Sequence, residues 1–142
     1  MPAKLKPEEV QQFLDSRPGW ITLTTLGRDG YPHSVPIGYF RQGEEIVIGC
    51  IDGTQKVKNV QRDPRVSLSL ESGGTMQDIK GVLIQGDARA VVDPKEKLHY
   101  AQAGARRRGV VEADLPKEAS ARSAYIVVRP RKVISWDYSR SE

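Results

Sequence analysis

Trp20-Ile21-Thr22-Leu23-Thr24-Thr25-Leu26, then Gly27-Arg28-Asp29-Gly30, then Pro32-His33-Ser34-Val35-Pro36-Ile37-Gly38-Tyr39-Phe40 carry the reading of the fold. The first run is rich in β-branched residues and the second is a turn sequence, so two strands joined tightly are predicted. A turn around Arg41-Gln42-Gly43 follows, then Glu45 to Ile51 as a third strand. Strands separated by connections this short pair as antiparallel neighbours. The third is apolar on both faces, with Ile46, Ile48 and Cys50 against Val47, Gly49 and Ile51. Such a strand belongs inside a closed or sandwiched sheet.

Outward from this core, Pro7, Glu8 and Glu9 open a short helix whose Val10, Phe13 and Leu14 share one face, closed at Arg17-Pro18-Gly19. Thr54 to Arg62 reads as a second helix with Val57 and Val60 inward, stopped by Asp63-Pro64. Val66 to Glu71 alternates as a strand, and Ile79 to Val92 is a long strand bent at Gly81 and Gly86. Pro94 to Ala103 is a third helix, Gly104 to Ser120 is basic and irregular, and Tyr125 to Val128 and Val133 to Asp137 close the chain as two strands. The result is a mainly β chain, a partly open β-barrel of six to seven antiparallel strands with peripheral helices, in one domain over 1–142.

A chain of 142 residues buries enough surface to fold without a staple. Its 38% hydrophobic share suits a dimer that hides further apolar surface at least as well as a monomer. Cys50 is the single cysteine and sits in an apolar run, so it reads as a small buried hydrophobe. The sequence has no signal-peptide pattern and no long uncharged apolar segment, which leads us to expect a cytoplasmic protein with no membrane partner. The net charge of +4 is mild; the basic residues gather at Lys56, Lys58, Arg62 and Arg65 and at Arg106-Arg107-Arg108.

The chemistry is marked first by absence. His33 and His99 are far apart, and there is no Cys-x-x-Cys, His-x-x-x-His, Gly-x-Ser-x-Gly, Rossmann or Walker loop. A reactive centre would therefore be brought by a cofactor, with no metal and no assignable catalytic side chain. Two features point to where it would sit. The helix from Thr54 places Lys56 in its first turn, against the helix dipole, and a bound anion there would reverse that penalty; a solvated basic face is the alternative. On Pro32–Phe40, alternation puts Ser34, Pro36 and Gly38 on one shallow face, while Pro36 removes a ladder donor. Such a strip suits a flat ring, and equally an ordinary edge strand guarded by proline.

The runs Trp20–Leu26 and Asp29–Pro36, with Lys56-Val57-Lys58-Asn59-Val60-Gln61-Arg62-Asp63-Pro64-Arg65-Val66-Ser67-Leu68, resemble the pyridoxamine 5′-phosphate oxidase-like split β-barrel superfamily, in particular its flavin/deazaflavin oxidoreductases. Gly81–Gly86 and Val133–Asp137 extend the resemblance over nearly the whole chain. It implies a homodimer with cofactor sites at the subunit interface, FMN or coenzyme F420 as the carrier, and hydride transfer to a small organic acceptor. Carried over by position, Lys56 and Thr54, with Lys58, would hold the phosphate; Ser34, Val35, Pro36 and Ile37 would line the ring; Asn59 would brace the helix. Trp136 belongs either near the site or the subunit interface, or in the core as a closing aromatic. The segment after the second strand, Arg41-Gln42-Gly43-Glu44-Glu45, and the short tail after Trp136 depart from the pyridoxamine oxidases, so vitamin B6 oxidation is not expected; the short chain and the basic residues near the cleft favour F420. Lys80 and Arg106–Arg108 are candidates for its polyanionic tail, and Tyr39 or His33 for a proton donor. The rival expectations are a non-catalytic carrier or sensor of FMN, F420 or a tetrapyrrole such as haem, and a nucleic-acid-binding barrel, which the sparse aromatics do not support.

Overall fold

The computed structural model describes residues 1–141. Its strands are β1 (Pro2–Ala3), β2 (Ile21–Leu26), β3 (Pro32–Ile37), β4 (Phe40–Gln42), β5 (Glu45–Ile51), β6 (Arg65–Ser72), β7 (Lys80–Val91) and β8 (Ser123–Ser141). The helices are α1 (Pro7–Ser16), α2 (Gln55–Arg62) and α3 (Pro94–Arg107), with a 3₁₀ turn at Glu112–Asp114. Seven strands form one antiparallel sheet in the order β3-β2-β6-β7-β8-β5-β4, and β1 pairs with β8. This is the mainly β, half-open barrel expected from the alternation pattern.

The sheet curls around Ile21, Leu23, Ile46, Ile48, Leu68 and Ile84, all essentially buried, and α1 adds Val10, Phe13 and Leu14 to the same core. The two-sided apolarity of β5 has a direct cause. Ile46 and Ile48 face the barrel interior, whereas Val47 faces outward and packs with Val91, Tyr100 and Val127 beneath α3.

Three boundaries differ from the sequence reading. Pro32–Phe40 is not one strand paired to Glu45–Ile51: it breaks at Gly38-Tyr39, so β3 pairs only with β2, and β4 with β5. The break has a physical reason, since Tyr39 turns inward and its hydroxyl donates to the Leu14 carbonyl at 2.6 Å. Conversely, the two closing strands are one, β8, with Arg131 as an extra residue between the pairs Pro130↔Gly86 and Lys132↔Gln85. Proline fits there because a bulge excuses its missing N–H. Finally, α3 runs past Ala103 to Arg107. Gly104 marks a close approach to Phe40, where a Cβ would lie 3.1 Å from the ring, and not a stop. Buried Lys97 then donates to the carbonyls of Ser120 and Ser123, tying the return segment to the start of β8.

Candidate functional site

The start of α2 is built as an exposed, uncapped helix end. Thr54 is the N-cap residue, yet its hydroxyl donates to the Ile51 carbonyl at 2.8 Å, so no side chain caps the first turn. The first-turn N–H groups of Gln55, Lys56 and Val57 therefore have no intrahelical acceptor. No acid stands in that turn; Lys56 does. A cation and free N–H donors together form a donor set matched to a phosphate-like anion.

The helix is held by its other face. Val57 and Val60 are buried in the barrel core. Asn59 is fully buried: its Nδ2 donates to Thr25 Oγ1 at 3.0 Å, and its Oδ1 accepts from Gln55 Nε2 at 2.8 Å. Arg62 donates to the Leu26 carbonyl, so α2 is pinned to the end of β2. Arg62 thus helps fix the helix, whereas Arg65 forms a local pair with Asp63 and holds that carboxyl down at about 2. Thr25 and Gln55 carry this network without having been singled out from sequence. Only the polar type of residue 25 on an otherwise apolar buried face could have marked it.

The β3 strip is linked to the same region through the core. β4 pairs with β5 as Phe40↔Val47, Arg41↔Ile46 and Gln42↔Glu45. β5 ends at Ile51, three residues before the α2 N-cap Thr54. Ile37 and Cys50 pack on the same core. β3 is the terminal strand of the sheet, with Ser34 and Pro36 exposed and Val35 and Ile37 half-buried on the opposite face. Ser34 is further fixed by a 2.8 Å hydroxyl contact with Thr24. Exposed Trp20 lies beside Gly38, and Ile51 is exposed as well, so the corner carries apolar surface next to its charge.

The remaining expectations divide. Lys56 is half-buried and acts on Cys50, whose thiol burial pushes up to about 11 while the lysine pulls it down; Lys58 is exposed. Tyr39 is 5% exposed, bonded to Leu14 and pushed up to about 12 by burial, so it is a structural hydroxyl and no proton donor. His33 keeps a buried Nδ1 without a hydrogen-bond partner among the described residues. Lys80 stands over the Phe13 ring at 5.5 Å and lies opposite Asp137 in the β7–β8 ladder, at the far end of β8 from the corner, so one chain does not bring it to α2. Arg106 is bonded to Glu112 and Arg107 to Asp15 and the Arg41 carbonyl; Arg108 alone reaches toward Tyr125, whose ring lies against Gly49. Trp136 crosses the ladder onto Gly81, where any Cβ would collide with the indole, which makes it a packing residue.

Among the described residues no helix is long and apolar enough to cross a membrane, and no three His, Cys, Asp or Glu side chains gather as a metal-binding group. Two cavities of about 610 and 440 Å³ lie elsewhere among the described residues, and neither includes any residue of the α2–β3 corner. The corner is an open ledge on a single chain.

Similar folds are known. A conserved hypothetical protein of Mycobacterium tuberculosis is 28% identical and superposes with a TM-score of 0.79 over 94% of this chain and 86% of its own. A protein named F420 reductase is 22% identical, with a TM-score of 0.64 over 87% of this chain and 94% of its own. A FAD and heme binding protein of Mycobacterium smegmatis is 18% identical, with a TM-score of 0.75 over 93% of this chain and 71% of its own. No curated protein matches the sequence. The sequence model of the pyridoxamine 5′-phosphate oxidase family matches residues 7–137, nearly the whole chain. This protein belongs to the pyridoxamine 5′-phosphate oxidase family.

Proposed function

We propose that the α2–β3 corner binds the phosphate and ring of a flavin-type cofactor, coenzyme F420 in preference to FMN, and that the protein is an oxidoreductase acting on a small organic substrate. The observation that carries this is the uncapped, lysine-bearing start of α2, together with an edge strand whose exposed face carries only small side chains at Ser34 and Pro36. The residues fit the group. Free N–H groups with Lys56 match a phosphate, and a flat, partly apolar ledge matches a heteroaromatic ring.

When bound, the cofactor supplies the centre that accepts or releases a hydride. The chain's own residues hold and orient. Lys56, with Thr54 and Lys58 around the helix start, neutralises the phosphate; Ser34, Val35, Pro36 and Ile37 carry the ring; Asn59 keeps the helix end in place against Thr25. Fixed orientation is the chain's main contribution to rate, with no dedicated acid or base required.

The openness of the ledge, flanked by exposed Trp20 and Ile51, supports a homodimer in which a second copy completes the site and excludes water. The preference for F420 rests on Arg108, free to meet a polyanionic tail near β5, and on the likeness to the protein named F420 reductase. Oxidation of pyridoxamine phosphate is disfavoured by the short, acidic Gly43-Glu44-Glu45 connection after β4.

The test is titration of purified protein with FMN and with F420, followed by fluorescence, together with turnover of the reduced cofactor by a panel of small acceptors. Saturable binding, tighter for F420, and turnover are expected. Binding with no turnover would favour a non-catalytic carrier, including the haem-carrier reading that the likeness to a FAD and heme binding protein keeps in view. Binding of neither cofactor would sink the proposal.

A further inference from the structure

We propose a second binding site, for a small anionic amphiphile (a carboxylate on an apolar body), in the split of the barrel between β8 and the β4–β5 hairpin. β8 loses β5 as its partner after Val128↔Ile46 and meets β1 only from Asp137 onward. Between those points the sheet parts, and α1 covers the gap only partly. The opening is the cavity of about 610 Å³, a size ordinary for small-molecule sites.

Its floor is the barrel interior itself: Val10 and Leu14 of α1, Ile46 of β5 and Ile84 of β7, with Val133 of β8 at the mouth. Val133 and Ile134 are 45% and 40% exposed, so an apolar body entering here would remove from water surface that the fold leaves wet. The rim is cationic. Lys4, Arg41, Arg129 and Lys132 border the cavity against a single acid, Glu44. Arg41 is already held bidentate by Asp15. Arg129 and Lys132 have no ion-pair partner for their side chains among the described residues. An apolar floor under two uncommitted cations selects a ligand with one anionic end.

An added peptide strand fits less well. Pro130 offers no donor, and the Leu5 N–H already bonds Ser135 Oγ, so the open edge is interrupted at both ends. The cavity shares no residue with the α2–β3 corner, so this site stands whether or not a cofactor binds there.

The experiment is calorimetric titration of the full chain with decanoate below its micellar range, with decanol and decyltrimethylammonium as matched controls. Decanoate should bind saturably and about tenfold tighter than decanol, as one charge-assisted contact warrants. The double variant Arg129→Gln/Lys132→Gln should erase that advantage while leaving decanol binding as it was. Val133→Trp, from a half-exposed position, should block decanoate and leave FMN and F420 titrations unchanged. The proposal is overturned if decanoate does not saturate, if the cationic control binds as well, if the double variant binds decanoate like the parent, or if decanoate competes with the cofactor.

Discussion

Helices α2 and α3 are made by opposite rules. α3 begins at Asp93, whose carboxylate accepts from the Lys95 and Glu96 N–H groups at 3.1 Å, with proline at its first position and Glu96 in its first turn. Its last turn carries Arg106 and Arg107, both engaged by acids. Every one of these choices complements the helix dipole. α2 has no cap, no acid at its start, and a lysine where the dipole disfavours it. It is held instead from the side, by Val57, Val60 and Asn59. A helix fixed by tertiary contacts is free to leave its end unsatisfied, and that is where an external anion finds both charge and donors. Local rules broken at one well-supported place mark a site.

The largest effect should come from the side support. Asn59→Ala strands the buried Thr25 hydroxyl and frees the exposed Gln55 amide, and should cost about 2 kcal/mol in urea unfolding. Asp93→Ala removes only a cap and should cost about 1 kcal/mol. Equal costs would erase the distinction between the two helices. A smaller effect of opposite sign is expected for Lys56→Glu, which places an acid in the first turn of α2. Unfolding should become harder by roughly 0.3–1 kcal/mol even as anion binding is lost. Destabilisation in that variant would mean Lys56 serves the fold.

The smallest and most local reading is at Cys50. With its thiol near 11, the thiolate forms only as pH climbs toward that value, so alkylation by iodoacetamide at pH 8 should be slow and should accelerate into the alkaline range. Lys56 favours the thiolate, so Lys56→Ala should raise the thiol further and slow the reaction again. An unchanged rate would place the ammonium out of reach of the Cys50 thiol.

Much of this was legible in the residues. The alternation of Val66, Leu68 and Leu70, the two-sided β5, the inward stripe of Val57 and Val60 and the dipole-defying Lys56 all follow from period and charge. What was hidden depends on contacts between distant segments. Nothing local in Pro32–Phe40 reveals that Tyr39 reaches Leu14 and breaks the strand. Gly104 reads as a helix stop until Phe40 is packed against it. Arg106 and Arg107 read as available for a polyanion until Glu112 and Asp15 are placed beside them, and Lys80 until β8 carries it away from α2. The gap beside β8 was invisible because it arises where two strands part, which no single segment encodes.

The most direct measurement compares FMN and F420 affinity in the parent protein, Lys56→Ala and Lys95→Ala, with unfolding curves run on the same samples. Losing one charge-assisted phosphate contact should weaken the preferred cofactor by about 10–100-fold in Lys56→Ala, with Lys95→Ala unchanged and all three equally folded. Cofactor bound as tightly by Lys56→Ala as by the parent would contradict the assignment of the α2 start as the phosphate grip.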